Sequence, residues 1–194
     1  MNPSFYSKYK ILFWQPQTDW FKVISKKKLG NTFLVCLNYF LWVFLFYVSY
    51  LLIKQNTNIF WQLLLATIVS EIVEKFLKSK LLWPRPLHLR QNIIPDGMFK
   101  SWYQKGSFPS GHAIKIAFFL MFVIQNQIPL SPSTYLLITT PLLLSRVILG
   151  LHYPIDLLGG AIFGFLIWFP ISLLQFPLFL LDFIRPIFNF IFAL

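Results

Sequence analysis

Long apolar stretches alternate with short polar ones along this chain. Residues 32–53 are almost all aliphatic or aromatic, and a polar turn at 55–58 separates them from a second run at 59–78. Further apolar runs cover residues 110–125, 134–149 and 154–174. A hydrocarbon core of about 30 Å takes roughly 20 apolar residues in helical form, and the runs approach that length. Between residues 79 and 109, Pro84, Pro86, Pro95, Gly97 and Gly106 break any helix. The pattern predicts an all-α, polytopic membrane bundle of five or six transmembrane helices. Residues 175–194 are apolar but carry Pro177, Asp182, Arg185 and Pro186. They read as a kinked sixth span or as a helix lying on the membrane, with the span preferred. Residues 1–30 read as an interfacial arm, with Phe13, Trp14, Trp20 and Phe21 at headgroup depth, or equally as a solvated tail. Residues 31–194 form the transmembrane domain.

Composition agrees with lipid as the solvent. Of 194 residues, 57% are hydrophobic, 20% aromatic and only 12% charged. A soluble domain carries about 25% charged residues, so the polar surface here is too small to cover a globule in water. Charge adds a second constraint: 17 Lys and Arg against 6 Asp and Glu leave +11. Nucleic acid is not expected as a partner, since many cations flank apolar helices and no nucleic-acid motif occurs. The single cysteine, Cys36, excludes an internal disulfide framework. The mixed aromatic and basic start does not read as a cleaved signal peptide.

The alternation of spans brings Lys78, Arg85, Ser110, His112, Arg146, His152 and Asp156 to one side of the membrane. Ionisable groups there are costly and usually functional, so the seven predict one polar pocket at the rim. Lys78, Arg85 and Arg146 have few carboxylates near them in sequence. Such a cluster repels itself unless an anion neutralises it, and guanidinium groups match phosphate oxygens. Glu71 with Lys75 and Glu74 with Lys78 are spaced to pair on one helical face. Pro109-Ser110-Gly111-His112 opens a helix, with Ser110 as N-cap and Gly111 leaving the first-turn amides open to an anion.

His152 and Asp156 bring the chemistry. Pro154 favours the first helical position, which lets Asp156 reach back to His152, fix its tautomer and leave the other ring nitrogen to attack. His112, on another helix, is placed to protonate a leaving oxygen. Asp19, Glu71, Glu74, Asp96, Asp156 and Asp182 do not cluster in sequence, so no metal site is expected. Gly160 and Gly164 form a small-residue pair suited to close packing within the monomer. Trp102, Tyr103 and Lys105 read equally as a headgroup lid or an interfacial belt, and His88 as structural or interfacial.

These residues resemble the type 2 phosphatidic acid phosphatases, which share a core with the vanadium haloperoxidases. That family's motifs are Lys, six residues, Arg-Pro; then Pro-Ser-Gly-His; then Ser-Arg, five residues, His, three residues, Asp. Here they are Lys78 with Arg85-Pro86, Pro109 to His112, and Ser145-Arg146 with His152 and Asp156. The resemblance covers residues 59–174. It implies a phosphohistidine on His152, orientation of that ring by Asp156, and His112 as general acid. It further implies that Lys78, Arg85, Ser110, Gly111 and Arg146 hold the phosphoryl oxygens, that no cofactor or metal is used, and that the substrate is a membrane lipid phosphate or diphosphate. A polyprenyl diphosphate such as undecaprenyl diphosphate is the first expectation, from the small size of the chain. Phosphatidylglycerophosphate or phosphatidate is the runner-up. A lipid phosphotransferase keeps the same pocket, and a non-catalytic lipid or anion transporter is the rival from another class. A multi-pass protein of the cell membrane follows. Members commonly have three spans before the first motif, whereas two precede Lys78, and the lysines of the arm favour the cytoplasmic side. The facing of the pocket therefore stays open.

Overall fold

The computed structural model describes residues 10–25, 28–80, 82–90 and 106–192, and all its regular elements are helices. They are α1 (Trp20–Ser25), α2 (Lys28–Gln55), α3 (Asn58–Ser79), α4 (Pro86–Arg90), α5 (Gly111–Asn126), α6 (Pro132–Ile148), α7 (Pro154–Ser172) and α8 (Leu178–Phe192). The five apolar runs of the sequence correspond to α2, α3, α5, α6 and α7. Thr32–Gln55 and Pro154–Ser172 are long and apolar enough to cross a membrane by themselves. In α3, Glu71, Glu74, Lys75 and Lys78 interrupt the apolar stretch.

Helix α5 is the centre of the bundle. Its Ile114, Phe118 and Phe122 recur every four residues and are completely buried, the spacing that puts side chains on one helical face. They pack with Leu41, Val48 and Leu52 of α2, Leu63 and Ala66 of α3, Leu142 of α6 and Ile167 of α7. The outside is as apolar as the inside: Phe46 of α2 is 79% exposed and Leu137 of α6 is 75% exposed. Facing water, that surface would be an aggregation liability; facing acyl chains it costs nothing.

The tightest approach is between α5 and α7, where glycine is required. A methyl group on Gly160 would lie 2.7 Å from the Ser110 carbonyl oxygen, and one on Gly164 would lie 2.5 Å from the Ile114 carbonyl oxygen. The small-residue pair therefore serves packing within the chain. At the end of α7, Gln62 donates to the carbonyl oxygens of Ser172 and Leu174, and Asn58 donates to that of Leu174. These amides satisfy carbonyls that a helix end leaves orphaned.

The last apolar stretch forms one short helix that packs on α3. Helix α8 has 15 residues, about 22 Å at 1.5 Å each, which is short for the hydrocarbon core. Its Leu180 carbonyl accepts from Trp61 and its Phe188 meets Phe60 edge to face, so two points about 12 Å apart on α8 meet adjacent residues of α3. The helix thus runs across the end of α3, with Asp182 and Arg185 paired at the surface. A helix lying along the membrane surface suits this geometry.

The N-terminal arm splits in two. Trp14 and Trp20 are exposed, but Phe13 and Phe21 are buried in protein and not open to lipid headgroups. Phe13 wedges between Trp83 and Tyr153, and the Ile155 amide donates to the Leu12 carbonyl oxygen at 3.1 Å. Phe21 joins Leu34, Leu87, Leu149 and Leu151. Two aromatic side chains find apolar partners along the loop before α7, which a reading of local sequence does not reveal. Lys26, Lys27 and residues 102–105 lie outside the described residues.

Candidate functional site

The site grows from the ends of four helices. Helix α5 starts at Gly111 with Ser110 as N-cap, its hydroxyl accepting from the Ala113 amide at 3.5 Å. Helix α6 ends just after Arg146 and passes into Gly150, whose φ of +73° lies in the left-handed region. That glycine turns the chain sharply enough for the Leu151 and His152 amides both to donate to the Arg146 carbonyl oxygen, at 2.9 and 3.2 Å. The turn is also held from outside. The Leu87 amide donates to the Gly150 carbonyl oxygen at 2.9 Å, and Arg85 Nη1 donates to that of Leu151 at 3.1 Å.

Asp156 is completely buried and is surrounded by donors. The Tyr153 amide donates to Oδ2 at 2.7 Å, Trp83 Nε1 donates to Oδ1 at 2.9 Å, and the Ser107 hydroxyl also donates to Oδ2. The His152 Nδ1 stands 3.3 Å from the same Oδ2. A carboxylate held by three other donors is pinned, so it accepts from Nδ1–H and leaves the Nε2 lone pair of His152 unprotonated. Burial pushes the His152 pKa down to about 4, with repulsion from Arg85 and Lys78 adding to the effect and Asp156 opposing it. The pair is therefore a hydrogen bond between a neutral ring and a carboxylate.

Across the cavity, Arg146 Nη2 donates to Asn38 Oδ1 at 2.7 Å and lies 2.9 Å from His112 Nε2. Guanidinium has no acceptor, so His112 accepts with Nε2 and carries its proton on Nδ1. Lys78 pairs with Glu74. The expected partnership of Glu71 with Lys75 gives way to one between helices, Glu71 meeting Lys115 of α5 at 2.7 Å. Lys115 also lies 3.6 Å from Glu74 and 5.4 Å over the ring of Trp42. The expectation of few carboxylates near the cations is corrected: sequence separates Glu71 and Glu74 from most of them, and the fold does not.

All of this encloses one cavity of about 330 Å³, lined by residues that include Lys78, Arg85, Gly111, His112, Arg146 and His152. Seven of the eight candidates thus belong to the cavity or, as with Ser110, to the helix start beneath it; Asp156 stands directly behind His152. Sequence reasoning missed Asn38, Trp42, Trp83, Ser107 and Lys115, and paired Glu74 with Lys78 without placing it in the site. Trp83 and Ser107 had one signal, Trp83 lying within the first motif two residues before Arg85, and Ser107 two residues before Pro109. Asn38 and Trp42 had none, being polar or aromatic interruptions of an apolar run. His88 is exposed and does not line this cavity. Among the described residues, no three His, Cys, Asp or Glu side chains group as metal ligands.

The chain is similar to a solved structure titled the first transmembrane PAP2-type phosphatidylglycerolphosphate phosphatase, from Bacillus subtilis. The two share 23% identity over 88% of this chain and 85% of the other, with a TM-score of 0.47. No curated protein matches the chain. The family model described as PAP2 superfamily matches residues 59–179, a segment that holds all three motifs and every catalytic candidate. The chain belongs to the PAP2 superfamily.

Proposed function

We propose that this protein is an integral membrane lipid phosphatase that works through a phosphohistidine on His152. Family membership supports phosphatase chemistry on a lipid phosphate. The observation that carries the reading is one cavity shared by the rings of His152 and His112 and by Lys78, Arg85 and Arg146.

The phosphoryl group rests among the three cations and the first-turn amides of α5, with Ser110 and Gly111 at that turn. The cations and amides take up charge on the equatorial oxygens. His152 Nε2 attacks phosphorus in line, and the bond to the lipid oxygen breaks. Asp156 accepts from Nδ1 throughout and stabilises the charge that grows on the ring. Once Arg146 has turned to phosphate, the freed Nε2 of His112 takes up a proton, donates it to the leaving oxygen, and then removes one from the water that cleaves the phosphohistidine. In the structure its Nε2 faces Arg146, so that bond has to yield when Arg146 turns to phosphate. No step needs a metal.

For substrate we infer a lipid diphosphate of the polyprenyl type, undecaprenyl diphosphate first, with phosphatidylglycerophosphate or phosphatidate as the alternative. The pocket rim beside an exposed apolar belt supports a ligand with a phosphate head and a long hydrocarbon tail. Transfer to a lipid or sugar acceptor instead of water uses the same groups. A multi-pass protein of the cell membrane is the corresponding location. The test is phosphate release from a panel of these lipids by purified protein with EDTA present, alongside His152→Ala. Release that persists in EDTA and vanishes in the variant is expected. Acceptor-dependent product without free phosphate marks a transferase, and undiminished function in the variant sinks the phosphohistidine.

A further inference from the structure

We propose that Glu74 is a built-in stand-in for phosphate: its carboxylate takes the phosphoryl seat beside Gly111 and Lys78, and substrate binds by displacing it. This rests on the phosphatase reading above and adds a regulatory element within the same site. The carboxylate of Glu74 lies directly against Gly111. A methyl group built on that glycine would collide with both carboxylate oxygens and with the carbon between them. Gly111 is the first residue of α5, where helix amides attract an anion.

The remaining surroundings of the carboxylate are those a phosphate would choose. Lys78 pairs with one oxygen, and Lys115 approaches the other at 3.6 Å. Lys78 is 8% exposed and Lys115 is 4% exposed, so neither cation has much water to neutralise it. Two buried ammonium groups without a counter-charge are unfavourable, and Glu74 supplies that charge from one helix turn before Lys78. Glu71 holds Lys115 from the other side. A phosphate dianion arriving at Gly111 meets like charge at its own seat, and an acceptor-only carboxylate cannot share those donors with it. When Glu74 swings away, Lys78 exchanges one anionic partner for another and the desolvated site never stands uncompensated.

Exchange of this kind weakens every phosphate ligand by the same factor, product included. Slow product release limits many enzymes, so a carboxylate waiting to retake the seat speeds the departure of inorganic phosphate. Two substitutions separate displacement from simple repulsion. Glu74→Gln removes the charge. Glu74→Asp keeps the charge but is one methylene too short to reach Gly111.

The experiment measures competitive inhibition of lipid hydrolysis by inorganic phosphate, together with the phosphate-induced shift in melting temperature of the detergent-solubilised protein. Displacement predicts that both variants bind phosphate about tenfold more tightly or better, the factor that corresponds to about 1.4 kcal/mol. Tighter binding in Glu74→Gln but not in Glu74→Asp means long-range repulsion and overturns the proposal. Weaker or unchanged binding in both also overturns it and leaves Glu74 as a support for Lys78. If Glu74→Gln does not fold, Glu74→Asp alone decides, since only seat occupancy makes it gain. Absence of hydrolysis by the wild-type protein on every lipid overturns the phosphatase reading itself, whereas hydrolysis with unaltered phosphate affinity in the variants overturns only this inference.

Discussion

Trp83 donates from Nε1 to Oδ1 of Asp156 at 2.9 Å. The two residues are 73 positions apart, and the contact leaves Oδ2 to His152, Ser107 and the Tyr153 amide. An indole within the first motif thereby sets the direction from which the third motif's carboxylate addresses the ring of His152. Trp83→Phe keeps the ring and removes the donor. The expected outcome is a fall in kcat of about tenfold with KM little changed, because a hydrogen bond to a charged group contributes about 1.5–3 kcal/mol. Steady-state phosphate release checks it, and a change confined to KM would place Trp83 in substrate binding instead.

Asn38 restrains Arg146 from outside the segment that matches the family model. Asn38→Leu removes the acceptor and adds bulk of similar size. Arg146 then has one partner fewer in its resting position, and its guanidinium loses register with phosphate. A rise in KM of several-fold is expected, measured against one lipid phosphate in mixed micelles. Unchanged kinetics would show that Arg146 is positioned by the backbone alone.

His152 titrates differently in the folded and unfolded chain. Its folded value is about 4 against an ordinary 6.5. A depressed histidine pKa means the unfolded chain binds the extra proton first, so stability is full above about pH 6.5 and declines as pH falls towards 4. The loss amounts to about 3 kcal/mol across that window. Melting temperatures of the solubilised protein from pH 7.5 to 4.5 test the sign: His152→Gln should flatten the slope, and a wild-type curve that rises towards acid would contradict it. In kinetics, the limb of kcat/KM that belongs to His152 should lie near pH 4.

Gly164 sits where α7 presses on the backbone of α5, with a built methyl 2.6 Å from Ala117 Cβ. Gly164→Leu forces the helices apart and disturbs Ser110 and His112 at the other end of the same contact. Overpacking of a tight contact costs about 1–3 kcal/mol or more. A clear drop in melting temperature and a loss of activity are expected together, while Gly159→Ala tests the neighbouring contact with the Phe108 ring.

Much of the fold could be read from residue order. Apolar runs bounded by Gly and Pro mark helices because backbone groups in lipid have to be satisfied within their own segment, and so α2, α3, α5, α6 and α7 were legible. The last stretch was not: Pro186 and the pair Asp182 and Arg185 suit a kinked span and a surface helix alike, and its contacts with Phe60 and Trp61 arise only in the tertiary structure. The motif residues were legible for a similar reason. A buried cation, a helix-start Ser-Gly and a His four residues before an Asp each carry a local cost that lone sequence context does not offset.

What residue order by itself determined is the set of helices, the lipid-facing composition and the identity of the groups proposed to meet phosphate. Which side chains restrain those groups was decided by packing. Arg146 turns to Asn38, Asp156 to Trp83 and Ser107, and Glu71 to Lys115 instead of to Lys75 one turn away. Local spacing limits which pairs can meet along one helix, but a buried charge settles on the partner that removes the most uncompensated field. That partner is known only once separate helices stand side by side.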